Sequence, residues 1–139
     1  MQDTLDNVLG AEEPHGTFHD ARLRHVAIDY EEATCAVECE LCVGDPDATS
    51  EQGRERTRAG RLVFSGLLFW SCEPPAQPST RPSGALWMTS EGPLREAPTE
   101  AGRNLARSVP SEASAWYLYF SDQNAFAYVA AVGVRFEWV

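Results

Sequence analysis

The sequence predicts a mainly β domain: a curved antiparallel sheet, sandwich or partly open barrel of about six strands, with at most one or two short helices. Three observations carry this. Residues 34–43 alternate cleanly, with Cys35, Val37, Cys39, Leu41 and Val43 on one face and Thr34, Glu38 and Glu40 on the other, the period of a half-buried strand. Residues 114–138 hold eight aromatic side chains around the turn formers Asp122, Gln123 and Asn124, the pattern of a closing hairpin. Proline and glycine punctuate the rest at short intervals, leaving little room for long helices.

Taken in order, residues 3–10 fit a short helix with Asp3 or Thr4 as N-cap, Leu5, Val8 and Leu9 on one stripe, and Gly10 as the stop. Residues 1–16 thus form an N-terminal arm or short helix. Residues 22–30 place Val26, Ile28 and Tyr30 on one face of a first strand, which joins residues 34–43 through a short turn, so the two pair as an antiparallel hairpin. Residues 44–60 mix acidic and basic side chains with Pro46 and Gly53, have no apolar residue but alanine, and read as a mobile surface loop. Residues 61–72 are apolar in both parities, Leu62, Phe64, Leu68 and Trp70 against Val63, Leu67 and Phe69, which predicts a strand covered on both faces. Residues 73–84 form a proline-rich crossing, since Pro74, Pro75, Pro78 and Pro82 cannot continue a central ladder. A short strand at 85–89 and at most two turns of helix at 100–108 follow. In the last strand, Phe126, Tyr128, Val132, Val134, Phe136 and Trp138 align on one face, and the small residues Ala125, Ala127, Val129, Ala131 and Gly133 on the other.

At 139 residues the chain fits a single domain, 1–139, with enough apolar sequence for a core without disulfides or metal. Its eleven basic residues are all arginine. Lysine Schiff-base chemistry and the lysine of a phosphate-binding P-loop are therefore excluded, and the arginine bias points to a high-GC bacterial genome. The net charge is −10, and residues 1–60 hold 14 acids against five arginines, so the acidity is N-terminal. Such a field disfavours nucleic acid and anionic membrane and favours a cationic protein partner or plain solubility. The longest apolar stretch is shorter than the ~20 residues a spanning helix needs. Residues 1–13 carry acids and no basic residue, unlike a secretory leader, so a cytoplasmic location is expected.

His15, His19 and His25, with Asp20 and Asp29 beside them, are the cluster to weigh as a site, because imidazole titrates near neutrality and a carboxylate fixes its tautomer. His19, Asp20, His25 and Asp29 are the catalytic candidates. On an extended strand His19 and His25 stand about 20 Å apart at ~3.3 Å per residue, so one ion reaches both only if the chain bends. No metal or cofactor is expected. Cys35, Cys39, Cys42 and Cys72 lack paired metal-ligand spacing and read as small buried hydrophobes, although Cys72 is free to meet another across strands. Glu38 and Glu40 share a strand face, as any acidic pair two apart does, and read as solvated.

The run Phe18-His19-Asp20-Ala21 followed by Ile28-Asp29-Tyr30 resembles the opening strand of a group of small bacterial proteins without assigned function. The resemblance covers the first quarter of the chain and implies the same β-rich layout. Some proteins of this kind look like immunity proteins of toxin systems. The expectation is a non-enzymatic binding module, an acidic inhibitor of a basic protein. The competing expectations are a small enzyme or ligand-binding barrel using His19, Asp20 and His25, and a homodimer through the apolar strands.

Overall fold

The alternation of residues 34–43 becomes a strand with Cys35, Val37, Cys39 and Leu41 buried on one side, and its neighbours curl so that this side is the inside of a barrel. A computed structural model describes residues 4–76 and 84–139. Six antiparallel strands, β1 (Thr17–Asp29), β2 (Thr34–Cys42), β3 (Thr57–Cys72), β4 (Leu86–Pro93), β5 (Ser114–Phe120) and β6 (Ala125–Trp138), close in the order β1-β2-β3-β6-β5-β4. Closure gives each strand two neighbours, which removes the exposed sheet edges of an open sheet. The described residues also form two short helices, α1 (Glu51–Arg54) and α2 (Glu100–Ala106), and single 3-10 turns at Leu5–Val8 and Leu94–Glu96.

The interior is filled from all six strands, by Phe18, Val37, Phe64, Met88, Leu118 and Val129 among others. Leu5 and Leu9 of the N-terminal arm join this core. The arm is held by carboxylates: Leu5 donates its backbone N–H to Glu91 at 3.1 Å, and Asp6 accepts from the backbone N–H of Phe18 at 2.8 Å and the Thr17 hydroxyl at 2.9 Å. A single 3-10 turn stands where a short helix was expected, and Asp3 lies outside the described residues.

The two long strands differ from their expected faces. In β3, Leu62 and Phe64 point inward, then the strand is reset at Gly66, whose φ is +60°, and by a register shift between Leu67 and Phe69. Leu67 and Trp70 pack on the interior, Phe69 turns outward, and Leu68 is left 46% exposed. The apolar run is thus covered on both faces at Leu62, Val63 and Phe64 and again where Phe69 meets the outer cluster, but its inward face changes parity at a bend and Leu68 is left exposed. In β6 the inward residues are Ala127, Val129 and Ala131, followed after the bend by Val134, Phe136 and Trp138. Tyr128 and Ala130 face out, where the layer that approaches is α2 with Leu94, Ala97 and Leu105. The small-residue parity thus faces the barrel interior, and the large Tyr128 faces the helix.

Residues 44–60 are shorter as a loop than expected. β3 starts at Thr57, Val43 donates to the Arg56 carbonyl at 2.9 Å, Asp45 to Gly53 at 3.1 Å, and Ser50 caps α1 through Gly53 at 3.0 Å. β1 likewise begins at Thr17, before the expected 22, and β4 runs on to Pro93, past the expected 89. Of the proline-rich crossing, residues 77–83 lie outside the described residues.

Candidate functional site

The quartet Phe18-His19-Asp20-Ala21 sits in an irregularity of β1. Thr17 pairs with Cys42 and Arg22 with Glu40, so β1 spends more residues than β2 over the same stretch. Phe18 and Ala21 are buried. Between them Asp20 takes a left-handed backbone, φ +65°, which a short polar side chain tolerates best after glycine. Its Oδ1 accepts the Trp87 indole N–H at 2.9 Å, and its backbone carbonyl lies 3.9 Å from the Cys42 sulfur. His19 Nδ1 is 2.8 Å from the Thr89 carbonyl, an acceptor only, so this nitrogen carries the proton; Nε2 lies 3.5 Å from Asp20 Oδ2. Arg22 stacks over the Trp87 ring at 4.8 Å.

The other candidates lie elsewhere. His15 Nε2 is 3.8 Å from Asp45, and His25 lines a groove that includes neither His19 nor Asp20. Asp29 accepts the backbone N–H groups of Glu31 at 3.0 Å and Glu32 at 3.1 Å, closing the β1–β2 turn. Among the described residues no group of three His, Cys, Asp or Glu side chains is arranged to hold a metal. His25 lines one groove and Asp20 another, while the barrel interior is filled by apolar side chains. All four cysteines are free. Burial pushes the thiol of Cys35 up to about 11 and that of Cys39 to about 12, the behaviour of inert core residues. Cys42 and Cys72 are also raised, burial being the first cause, and Cys72 is exposed.

Several acidic residues of the N-terminal half are paired with arginine. Glu13 is buried and held by Arg56 at 2.6 Å and Arg58 at 2.9 Å, hydrogen bonds that keep its carboxyl below the usual range. Glu12 pairs with Arg58, Glu38 with Arg61, and Glu40 with Arg24 and the Thr57 hydroxyl. Asp29, Glu31 and Glu32 have no arginine partner among the described residues. They surround Tyr30, which is 85% exposed.

This turn stands at one end of an apolar trough. β4 pairs with β1 at three positions, Ala21 with Met88, Arg22 with Trp87 and Leu23 with Leu86. Beyond Leu23, β1 has no β4 neighbour among the described residues. A groove of about 350 Å³ there is lined by Leu23, Val26, Trp70, Leu86 and Phe120, with His25 and Arg24 beside them. A second, about 260 Å³, is lined by Ile28, Tyr30, Leu67, Leu68 and Trp70. The two meet at Trp70. Val26 at 37% and Leu68 at 46% exposure present apolar surface to solvent along the trough. The closing aromatic hairpin contributes only Phe120 to either groove; the rest comes from β1, β3, β4 and the β1–β2 turn. Trp70 and Leu68 were assigned to a covered strand by their pattern. The one sequence signal for this site is Tyr30, an aromatic between carboxylates at a turn.

Fold and site together define a small closed antiparallel β-barrel with an acidic turn beside an apolar trough. No family model and no curated protein sequence matches the chain. The crystal structure of an uncharacterized protein from Neisseria gonorrhoeae is similar in fold, with a TM-score of 0.50 and 12% identity, covering 88% of this chain and 94% of that one. At that identity the likeness concerns the fold alone.

Proposed function

We propose that this chain is a non-enzymatic interaction module, an immunity-like acidic inhibitor of a basic protein, and that it holds its partner at the β1–β2 turn and the adjoining trough. The observation that carries this is Tyr30, a large amphipathic side chain 85% exposed and flanked in sequence by the carboxylates of Asp29, Glu31 and Glu32, beside apolar grooves. Tyrosine supplies contact area at small entropic cost and is enriched at binding hot spots. A contiguous exposed apolar patch marks interaction surfaces more often than isolated apolar residues do. Carboxylates clustered around it steer a cationic partner and reject an anionic one.

Tagged wild-type protein and the triple variant Tyr30→Ser, Glu31→Gln, Glu32→Gln test this against a source lysate at low and moderate salt. All three positions are exposed, so the fold is expected to survive. Wild type is expected to retain a basic protein, less of it as salt rises because surface charge is screened, and the variant to lose it. Retention of no basic protein, or equal retention by both, refutes the reading.

A further inference from the structure

The N-terminal arm, residues 4–16, is attached to the barrel differently from the way the strands are attached to one another. Its backbone-to-backbone hydrogen bonds, from Asn7 to Thr4, Leu9 to Asp6 and Gly16 to Glu13, stay inside the arm. Among the described residues, every hydrogen bond that crosses from arm to barrel ends on a carboxylate. Asp6 accepts the Phe18 N–H and the Thr17 hydroxyl, and Glu91 of β4 accepts the Leu5 N–H. Glu13 accepts from Arg56 and Arg58, and Glu12 from Arg58. His15 completes the set, 3.8 Å from the Asp45 carboxylate. The apolar share of the attachment is Leu5 and Leu9, which are buried, with Val8 packed against the same core.

We propose that the arm is an acid-released clasp: uptake of protons by Asp6 and Glu13 lets residues 4–16 leave the barrel as one unit while the six strands stay paired, exposing Leu5 and Leu9 together with the core they pack on. A backbone carbonyl accepts hydrogen bonds at any pH, whereas a carboxylate that takes up a proton loses its charge and part of its accepting capacity. Acid therefore weakens the attachment of the arm at several points together and leaves the strand ladder alone. The sign follows from the groups that face one another. Arg56 and Arg58 hold the Glu13 carboxyl below the usual range, so the docking it supplies is present at neutral pH and is lost as pH falls through its docked value, under the ~4.3 of an ordinary glutamate. Glu91 works in the opposite sense. Burial, and Asp6 as the charged group facing it, raise its carboxyl, so its proton is taken up first and favours the docked arm. A protonated His15 beside Asp45 does the same. The clasp thus holds through mild acid and opens below it.

Hydrogen exchange of the full chain, followed residue by residue by NMR and corrected for intrinsic rates, provides the test. The Leu5 and Phe18 amides report on the arm, because both donate across the joint to a carboxylate, and the amides of the β2–β3 ladder report on the barrel. At pH 7 the two arm amides are expected to share one protection factor, lower than that of the ladder. From about pH 5 to about pH 3.5 that factor is expected to fall about tenfold while the ladder keeps its own. Glu13→Gln removes the charge at neutral pH, and Arg56→Gln removes one of its partners from an exposed barrel position. Neither side chain touches the Leu5 or Phe18 amide. Glu13→Gln is expected to lower the protection of both amides together at pH 7, by about tenfold, and Arg56→Gln, which leaves Arg58 in place, by less. The proposal is overturned if arm and ladder amides carry the same protection at pH 7, if acid lowers the two in step, or if the variants leave both amides unchanged or free one without the other.

Discussion

Asp20 shows how one residue can look like chemistry and act as geometry. Its carboxylate is taken up by the Trp87 indole and stands near His19, and its left-handed backbone lets β1 carry extra residues between its pairings with Cys42 and Glu40. Asparagine keeps a short side chain with an acceptor oxygen and tolerates the same backbone. Asp20→Asn is therefore expected to stay within about 1 kcal/mol of wild type in urea denaturation. Asp20→Val places a β-branched residue at positive φ and leaves the indole N–H without its acceptor, and is expected to cost about 2–4 kcal/mol. If both variants lose the same stability, the conformation is not what the aspartate supplies. In sequence the histidine-aspartate pair is indistinguishable from a site, because the bulge that gives Asp20 its role arises from the mismatch with β2, a strand fourteen residues further on.

At the level of elements, α2 is positioned by closeness. A Cβ on Gly102 would stand 2.7 Å from the Ala97 Cβ and 2.9 Å from the Tyr128 ring, while Thr99 caps the helix through the Gly102 N–H at 3.1 Å and its hydroxyl shares a 2.7 Å hydrogen bond with Tyr128. Alanine normally improves a helix over glycine by about 1 kcal/mol. Here Gly102→Ala is expected to destabilise by about 1–3 kcal/mol in urea denaturation, because the helix must lift from β6. A stabilised variant would show that the contact yields. The alternation of β2 and the closing hairpin were legible because a strand buried on one face throughout writes its orientation into every second residue. The faces of β3 and β6 were not, because Gly66 and the shift between Leu67 and Phe69 change parity midway, and a period-two reading carries on through the bend. The trough was hidden for a related reason: Val26 and Leu68 have the pattern of core residues, yet among the described residues they stand 37% and 46% exposed.

At the scale of the whole molecule, the N-terminal arm places Leu5 and Leu9 in the core. Leu5 is fully buried, and Leu5→Ala is expected to cost about 2–5 kcal/mol of global stability through the space it vacates. Glu91, which receives the Leu5 N–H, has its carboxyl raised, first by burial and further by Asp6, with the Leu5 hydrogen bond opposing. The folded state thus holds the Glu91 proton more tightly than the unfolded chain does, so this group adds stability as pH falls through its folded value. Glu91→Gln keeps an acceptor oxygen without the charge. It is expected to raise Tm at pH 7, with the advantage shrinking as acid protonates wild type; a Tm difference that grows in acid would contradict this. Strand order has a further consequence, for synthesis. β6 follows β5 in sequence yet stands between β3 and β5. Until it leaves the ribosome, the nascent chain holds β3 and β5 without their shared neighbour, with Phe64, Trp70 and Trp116 lacking half of their enclosure. The barrel therefore closes only once β6 is available, and the interval between the synthesis of β5 and that of β6 is when chaperones would find the chain.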